Sequence, residues 1–348
     1  MTKVSVDALV EGTSRVFTAA GIDARSAHRV AGALVEADAR GIGSHGVLLV
    51  PMYVGRLLAG SVSTRTEADV VVDTGAVAVL DADRALGILT GDQAMGIAVA
   101  KARSLGVGVV TVRRAFHFGG AYRYVQVAMD AGQIGIAAAN TRPMMPAPGG
   151  ASAVVGNNPI AVGVPGPDPV LVDMALSEVA LGKIRLAESE GREIPSTWAT
   201  DRDGLATTDP ASAIAGLLLP TGGPKGYGLA LVVDVLTGVL SGGSFGPGVK
   251  GLYADASVPN DCAHLFLALN PELFGLDDFA ARTAQLAQHV RGSTLAPGVD
   301  RVLLPGEREA AAARAAHRDG VDVPPSVLSA LADTARRVGA DLPAGLAG

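Results

Sequence analysis

Apolar residues fall at helical spacing over the first sixty positions. Val6, Leu9, Val10, Val16 and Phe17 mark one helix, and Ala31, Leu34 and Val35 a second that Asp23 can cap. Residues 47–58 predict a third, with Pro51 in its first turn or kinking it. From Asp69 the period changes. Val70 to Val72 and Val77 to Leu80 flank Asp73-Thr74-Gly75, a hairpin signal. A helix over 91–104, a strand over 107–112, a helix over 122–130 and a strand over 134–139 follow. Residues 140–158 form a long Pro- and Gly-rich loop, a length that is usually functional inside a compact domain. Strands are expected at 160–164, 170–172 and 265–269, and helices at 179–190, 226–240, 307–317 and 325–338. Helix at both ends around a mixed middle predicts an α/β (α+β) chain. A helical domain, 1–68, is completed by the tail 305–348, and an α/β domain spans 69–304.

One stretch interrupts the helical beginning. Asp38-Ala39-Arg40-Gly41-Ile42-Gly43-Ser44-His45-Gly46 ends an apolar helical run and sets Ser44 and His45 side by side among glycines. Each of those glycines would cost about 1 kcal/mol against Ala inside a helix, so the helix breaks here. Glycines around a histidine more often mark a close approach by backbone or ligand. Histidine is also the commonest general acid or base.

Composition narrows the classes. The chain has 348 residues, 49% hydrophobic and 18% charged, which describes a compact globular protein. A net charge of -6 and 4% aromatic residues argue against nucleic acid as a partner. The single cysteine, Cys262, rules out an internal disulfide and an all-cysteine metal site. No secretory signal opens the chain, and the longest apolar segment, 226–240, is too short to span a membrane. A cytoplasmic location is expected, with neither membrane nor nucleic acid as partner.

Several chemistries find no pattern. The histidines (28, 45, 117, 264, 289 and 317) are scattered without metal-ligand spacing, so no metal is expected. The glycine fingerprint of dinucleotide folds is not met at a strand-to-helix turn: Gly106-Val107-Gly108 lies within a strand and lacks the third glycine. Three places remain. His117-Phe118-Gly119-Gly120-Ala121-Tyr122 sets a histidine before a glycine pair at a helix start, where free N–H groups can receive phosphate. Asp173, in Asp173-Met174-Ala175-Leu176-Ser177, stands at the end of a strand, placed to orient a histidine or hold a ligand. Gly222-Gly223-Pro224-Lys225-Gly226-Tyr227-Gly228 crowds a lysine at a helix N-terminus, a setting for phosphate or carboxylate, although not a Walker sequence.

With these motifs in order, the chain resembles the malate/L-lactate dehydrogenase family that is unrelated to the Rossmann-fold dehydrogenases. Sulfolactate and ureidoglycolate dehydrogenases, diketogulonate reductase and piperideine-2-carboxylate reductases are relatives. The resemblance runs through Arg40-Gly41, Ser44-His45-Gly46, Pro51-Met52-Tyr53, His117-Phe118-Gly119 and Gly149-Gly150. It continues through Gly156-Asn157-Asn158-Pro159, Asp173 to Ser177, Trp198-Ala199-Thr200-Asp201 with Gly204, and Thr208-Asp209-Pro210. Gly222 to Leu229, Leu240-Ser241-Gly242 and Pro305-Gly306-Glu307 close it. It implies a non-Rossmann cofactor domain with a mixed or antiparallel sheet, NAD or NADP as cofactor, and a homodimer. By similarity, His45 donates a proton to a carbonyl or imine substrate, Ser44 and Asp173 support it as a relay, and His117 is the second candidate acid. Cofactor contacts would map onto His117, Phe118, Gly119, Gly120, Ala121, Thr141, Asp173, Met174, Ala175, Lys225, Gly306, Glu307 and Arg308.

The departures bear on substrate. The family usually reads Ser-His-Gly-x-x-Arg, an arginine suited to clamp a substrate carboxylate, and here that position is Leu49. The Ser-x-His pattern before the second histidine becomes Ala115-Phe116-His117. Losing a hydrogen bond to a charged group is worth about 1.5–3 kcal/mol, a handicap for a simple 2-oxo acid reductase unless Arg142 or Arg56 substitutes, so a different or bulkier substrate than malate or lactate is expected. The expected reaction is reduction of a 2-oxo acid, a cyclic imino acid or a related carbonyl compound. Strict C=N reduction is one alternative, and a catalytically weakened dinucleotide-binding protein another.

Overall fold

The two ends of the chain meet. In the computed structural model, which describes residues 2–346, β1 (Thr2–Val4) pairs antiparallel with β13 (Val321–Val323). Behind this ribbon lie α1 (Val6–Ala19), capped by Ser5, and α2 (Ala24–Ala39), capped by Asp23, whose carboxylate accepts from Ser26 N at 3.1 Å. The short α3 (Val50–Leu58) follows, with Pro51 in its first turn, where a missing N–H costs nothing. Leu9, Phe17, Leu34, Tyr53 and Val54 pack there with Leu331 and Ala335 from the tail in one apolar core.

A seven-stranded sheet fills the middle. Its strands are β2 (Asp69–Thr74), β3 (Val77–Asp81), β4 (Val107–Ala115), β5 (Ile134–Ala139), β8 (Ile160–Val164), β9 (Val170–Met174) and β12 (Cys262–Leu269). They run in the order β2-β3-β4-β12-β5-β8-β9, and only β3–β4 is a parallel pair. A doubly wound dinucleotide fold needs a mostly parallel sheet, which this mixed topology is not. On one face lie α4 (Gly87–Leu105) and α5 (Tyr122–Asp130), packed over Val110, Val112, Ala137 and Phe266. Small residues let α4 come close: a Cβ at Gly108 would stand 2.0 Å from the Ala98 carbonyl oxygen.

The opposite face carries the irregular half of the domain. The ribbon β6 (Met145–Pro146) with β7 (Ala153–Val155) gives the long loop its own structure. Then come α6 (Leu181–Ser189), β10 (Ala199–Thr200), α7 (Pro210–Ala215), β11 (Leu217–Leu218) and α8 (Pro224–Asp234). Leu265 enters this core while its neighbour Phe266 enters the other, because successive strand residues point to opposite faces. The chain closes with α9 (Phe279–Arg291), α10 (Glu307–Asp319) and α11 (Pro325–Val338). Among the described residues, no helix is long and apolar enough to cross a membrane.

Several boundaries differ from the sequence reading. The hairpin turn is Gly75-Ala76, two residues later than the Asp73 signal, with Gly75 at φ 50. The helix expected over 226–240 becomes α8 and then a π turn over Val235–Val239. Asp234 stands at the change. Its carboxylate accepts from Asn140 Nδ2 at 2.9 Å and from Gly246 N at 3.0 Å, which ties the helix to the end of β5. The helix α9 was not foreseen, since it buries only Ala287 and shows little apolar period.

Candidate active site

Ser44 and His45 emerge from a single 3-10 turn, Gly43–His45, after α2. Ser44 Oγ lies 3.0 Å from His45 Nδ1. The His45 ring stacks on His117, with centroids 5.5 Å apart and planes at 29°. His117 comes from the opposite wall, just beyond the end of β4. Its Nδ1 lies 2.7 Å from the Tyr53 hydroxyl, which α3 supplies. Loss of water lowers His45 from its usual range. It also pushes His117 down to about 3, with His45 and His264 adding to the effect. Both imidazoles are therefore neutral at pH 7.

Behind His117 the wall is aromatic. Phe118 is stacked between Tyr124 and His264, with centroids 5.0 and 4.6 Å away, and the Tyr124 hydroxyl donates to the Phe118 carbonyl. Gly119 takes φ 73, a left-handed turn that lets the chain double back into α5. One of the expected free N–H groups is taken: the Asp173 carboxylate accepts from Tyr122 N at 2.8 Å. Asp173 is exposed at the end of β9. Desolvation pushes its carboxyl up to about 6 against the pull of that N–H, and water reaching its open side softens the rise. No hydrogen bond joins Asp173 to Ser44 or His45 among the described residues, so it is no direct member of their relay. Arg40, whose guanidinium lies 4.4 Å over the Tyr122 ring, adds a positive charge that favours the Asp173 carboxylate.

The remaining cofactor candidates collect around the end of β9. Leu171 N donates to the Pro305 carbonyl at 3.0 Å, which sets Gly306, Glu307 and Arg308 beside this strand. Glu307 is engaged by Arg291 and by Leu304 N. Leu176 N donates to the Asn157 carbonyl at 2.7 Å, and Thr141 Oγ1 lies 3.0 Å from Asn157 Oδ1. Thr221 N donates to the Leu176 carbonyl at 3.0 Å, bringing up Gly222, Gly223 and the exposed Lys225 at the N-terminus of α8. Met174 ends β9, paired with Ile160, and Ala175 follows it.

The position of the missing clamp arginine and its two candidate replacements are located differently. Leu49 is 2% exposed and belongs to the helical core. Arg56 is 1% exposed and wholly committed: Nε donates to the Leu252 carbonyl at 3.0 Å, Nη2 to Gly251 at 2.9 Å and Nη1 to Val258 at 2.8 Å. It cannot reach a ligand. Arg142 is exposed, and its Nη1 makes one long bond, 3.4 Å, to the Pro143 carbonyl. Sequence reasoning gave no role to Tyr53, Arg40 or Asn157, although all three stand in motifs it singled out.

The model of the malate/L-lactate dehydrogenase family matches residues 4–332. The chain belongs to the malate/L-lactate dehydrogenase family. It is 35% identical to malate dehydrogenase of Pyrococcus horikoshii over 97% of this chain and 96% of the relative. It is 37% identical to ureidoglycolate dehydrogenase (NAD(+)) of Escherichia coli, covering 92% of each. The solved sulfolactate dehydrogenase of Methanocaldococcus jannaschii superposes with a TM-score of 0.93 at 35% identity, covering 98% of both chains. Membership makes this chain an oxidoreductase of the dehydrogenase type, and the mixed sheet is the fold that its solved relatives share.

Proposed function

We propose that this dehydrogenase moves hydride between NAD or NADP and the carbon bearing the oxygen or nitrogen of a small carboxylate substrate. Candidate substrates are a 2-oxo acid with its hydroxy partner, a cyclic imino acid, or a related carbonyl compound. The observation that carries this reading is the pair of stacked imidazoles, each with its Nδ1 next to a hydroxyl group. That arrangement leaves both Nε2 atoms for substrate.

The residues present suit a dinucleotide. Lys225 sits at a helix N-terminus beside Gly222 and Gly223, both at positive φ with open space around them, a setting for a pyrophosphate. Phe118 to Ala121, Thr141, Asp173 to Ala175 and Gly306 to Arg308 would complete the contacts. When bound, the nicotinamide ring supplies or accepts the hydride.

His45 Nε2 gives its proton to the substrate oxygen or nitrogen as negative charge develops there. The exposed Ser44 hydroxyl passes a proton to Nδ1 and is resupplied from water, so the ring stays neutral throughout. In oxidation the same path runs backwards. A depressed His45 pKa favours that direction near neutral pH, because the base is already unprotonated. Tyr53 donates to His117 Nδ1, which leaves His117 Nε2–H to polarise the same oxygen. Arg142 is the cation left to meet the substrate carboxylate.

Residues 69–304 would hold most of the cofactor, joined by Gly306 to Arg308 at the start of the tail, while 1–68 and 305–348 bring His45 over it. A second copy of the chain would cover the exposed apolar side chains of α8 and its π turn. Titration with NADH and with NADPH, followed by nicotinamide fluorescence, tests the reading first. Binding of one with loss of turnover but not affinity in His45→Ala supports it; turnover retained in His45→Ala overturns it. A panel of pyruvate, oxaloacetate, sulfopyruvate and Δ1-piperideine-2-carboxylate separates C=O from C=N reduction.

A further inference from the structure

Asp38 lies in the last turn of α2, and its carboxylate turns inward beneath residues 43–47. Its Oδ2 accepts from Val47 N at 2.8 Å. A Cβ built at Gly46 would stand 1.9 Å from Asp38 Oδ1 and 2.1 Å from Cγ, closer than any side chain can come. Gly46 itself has φ -92 and ψ -155, a backbone any residue adopts. The glycine after His45 is therefore there for room, and the group that takes the room is the Asp38 carboxylate.

Val47 begins the 3-10 turn Val47–Leu49, which runs straight into α3. A carboxylate accepting from its first N–H caps that helix across a gap of nine residues and meets its positive end. Ser44 and His45 hang on one side of this junction. Tyr53, which holds His117, hangs on the other.

We propose that Asp38 is a positioning residue: its carboxylate, seated in the notch at Gly46, locks the Ser44-His45 turn against α3 and so aims both imidazoles. The proposal rests on the reading of His45 as proton donor. Burial pushes the Asp38 carboxyl up to about 6, opposed only by the Val47 N–H. A carboxyl raised in the fold lends stability below its unfolded value of 3.8, and that stability is lost as pH rises through about 6. At pH 8 the ionised group thus costs the fold stability. A residue kept for stability alone would do the opposite.

The test compares Asp38→Asn, Asp38→Ala, Gly46→Ala, the Asp38→Ala/Gly46→Ala double variant and His45→Ala in the full chain at pH 8. Readouts are kcat and KM for NADH- and NADPH-dependent reduction of oxaloacetate, sulfopyruvate and Δ1-piperideine-2-carboxylate, cofactor affinity, melting temperature, and the His45 signal in protein labelled with [13Cε1]-histidine. Asp38→Ala and Gly46→Ala are expected to lower kcat roughly tenfold or more without adding in the double variant, since a small misplacement of a catalytic group is enough. Both should displace the His45 signal and leave cofactor affinity unchanged within about twofold. Asp38→Asn, whose amide oxygen still accepts from Val47 N, should recover part of kcat and melt no lower than the parent. The proposal is overturned if Asp38→Ala keeps both kcat and the His45 signal, or if activity only follows melting temperature and Asp38→Asn rescues nothing. Turnover retained in His45→Ala would instead overturn the proton-donor reading. Should none of the three substrates be reduced, the His45 signal decides alone.

Discussion

The Tyr53 hydroxyl lies 2.7 Å from His117 Nδ1, and the two groups fix each other's protons. Burial holds the Tyr53 phenol well above its ordinary 10 and His117 down at about 3, so the phenol is the donor. Tyr53→Phe keeps the ring that packs 5.1 Å from Phe116 but leaves Nδ1 without its donor. An unsatisfied buried acceptor costs about 1–3 kcal/mol. If half of that falls on the transition state, kcat drops by about two- to tenfold while KM for cofactor stays put. Steady-state kinetics of Tyr53→Phe checks this; an unchanged kcat would mean that packing alone orients His117.

Acid should expose the buried histidines. His264 is wholly buried beside Phe118 and Cys262 and is pushed down to about 3 by desolvation, with its Nδ1 unpartnered. A histidine depressed in the fold is neutral there while its unfolded counterpart takes up a proton below 6.5. Stability is therefore lost as pH falls from 6.5 toward 3, by roughly 1.4 kcal/mol per pH unit. Asp38 and Asp173, both raised to about 6, act in the opposite sense between 6 and 3.8, so the parent's own curve is flattened. The difference between parent and His264→Phe isolates the histidine. Denaturant unfolding from pH 7 to 4 should show the variant gaining on the parent at each step down, and parallel curves would refute the shift.

How much of this was legible in the sequence depends on where each cause lay. The strands could be read because β-branched runs alternate toward two cores, as Leu265 and Phe266 do. The Ser44-His45 turn was marked by glycines, but not the reason for Gly46, since the carboxylate that fills its notch belongs to a side chain eight residues earlier. Arg56 read as a free cation because its partners, the carbonyls of Gly251, Leu252 and Val258, lie some 200 residues on. The π turn after Asp234 likewise answers to Asn140 and Gly246, which no local period can announce. Local rules placed elements, and long-range polar contacts decided what their side chains do.

Arg56 and Arg142 should separate cleanly. Arg56 ties the 251–258 loop to α3 through three carbonyls, so Arg56→Met leaves those acceptors unpaired. A loss on the order of 3 kcal/mol is expected, seen as a lower melting temperature and new proteolytic cleavage in the loop. Arg142→Ala should leave melting unchanged and raise KM for a carboxylate substrate by about ten- to a hundredfold, the value of one charged hydrogen bond. If Arg142→Ala leaves KM alone, the substrate carboxylate is met elsewhere.

The outer face of α8 and its π turn calls for a partner. Leu231, Val232, Val235, Val239 and Leu240 are 46–58% exposed along one stretch, an apolar run that a soluble monomer rarely leaves open. A second copy of the chain meets it most simply, because a twofold axis lays the same face against itself. Val232→Asp and Val235→Asp would each put a charge in that seam and turn a dimer into monomers. Light scattering coupled to gel filtration reads this directly, with the parent near twice 34.9 kDa and the variants near 34.9 kDa. The π turn follows Asp234, which is bonded to Asn140 next to Thr141, so loss of the dimer should also weaken cofactor binding. A parent that elutes as a monomer with full activity would dismiss the seam.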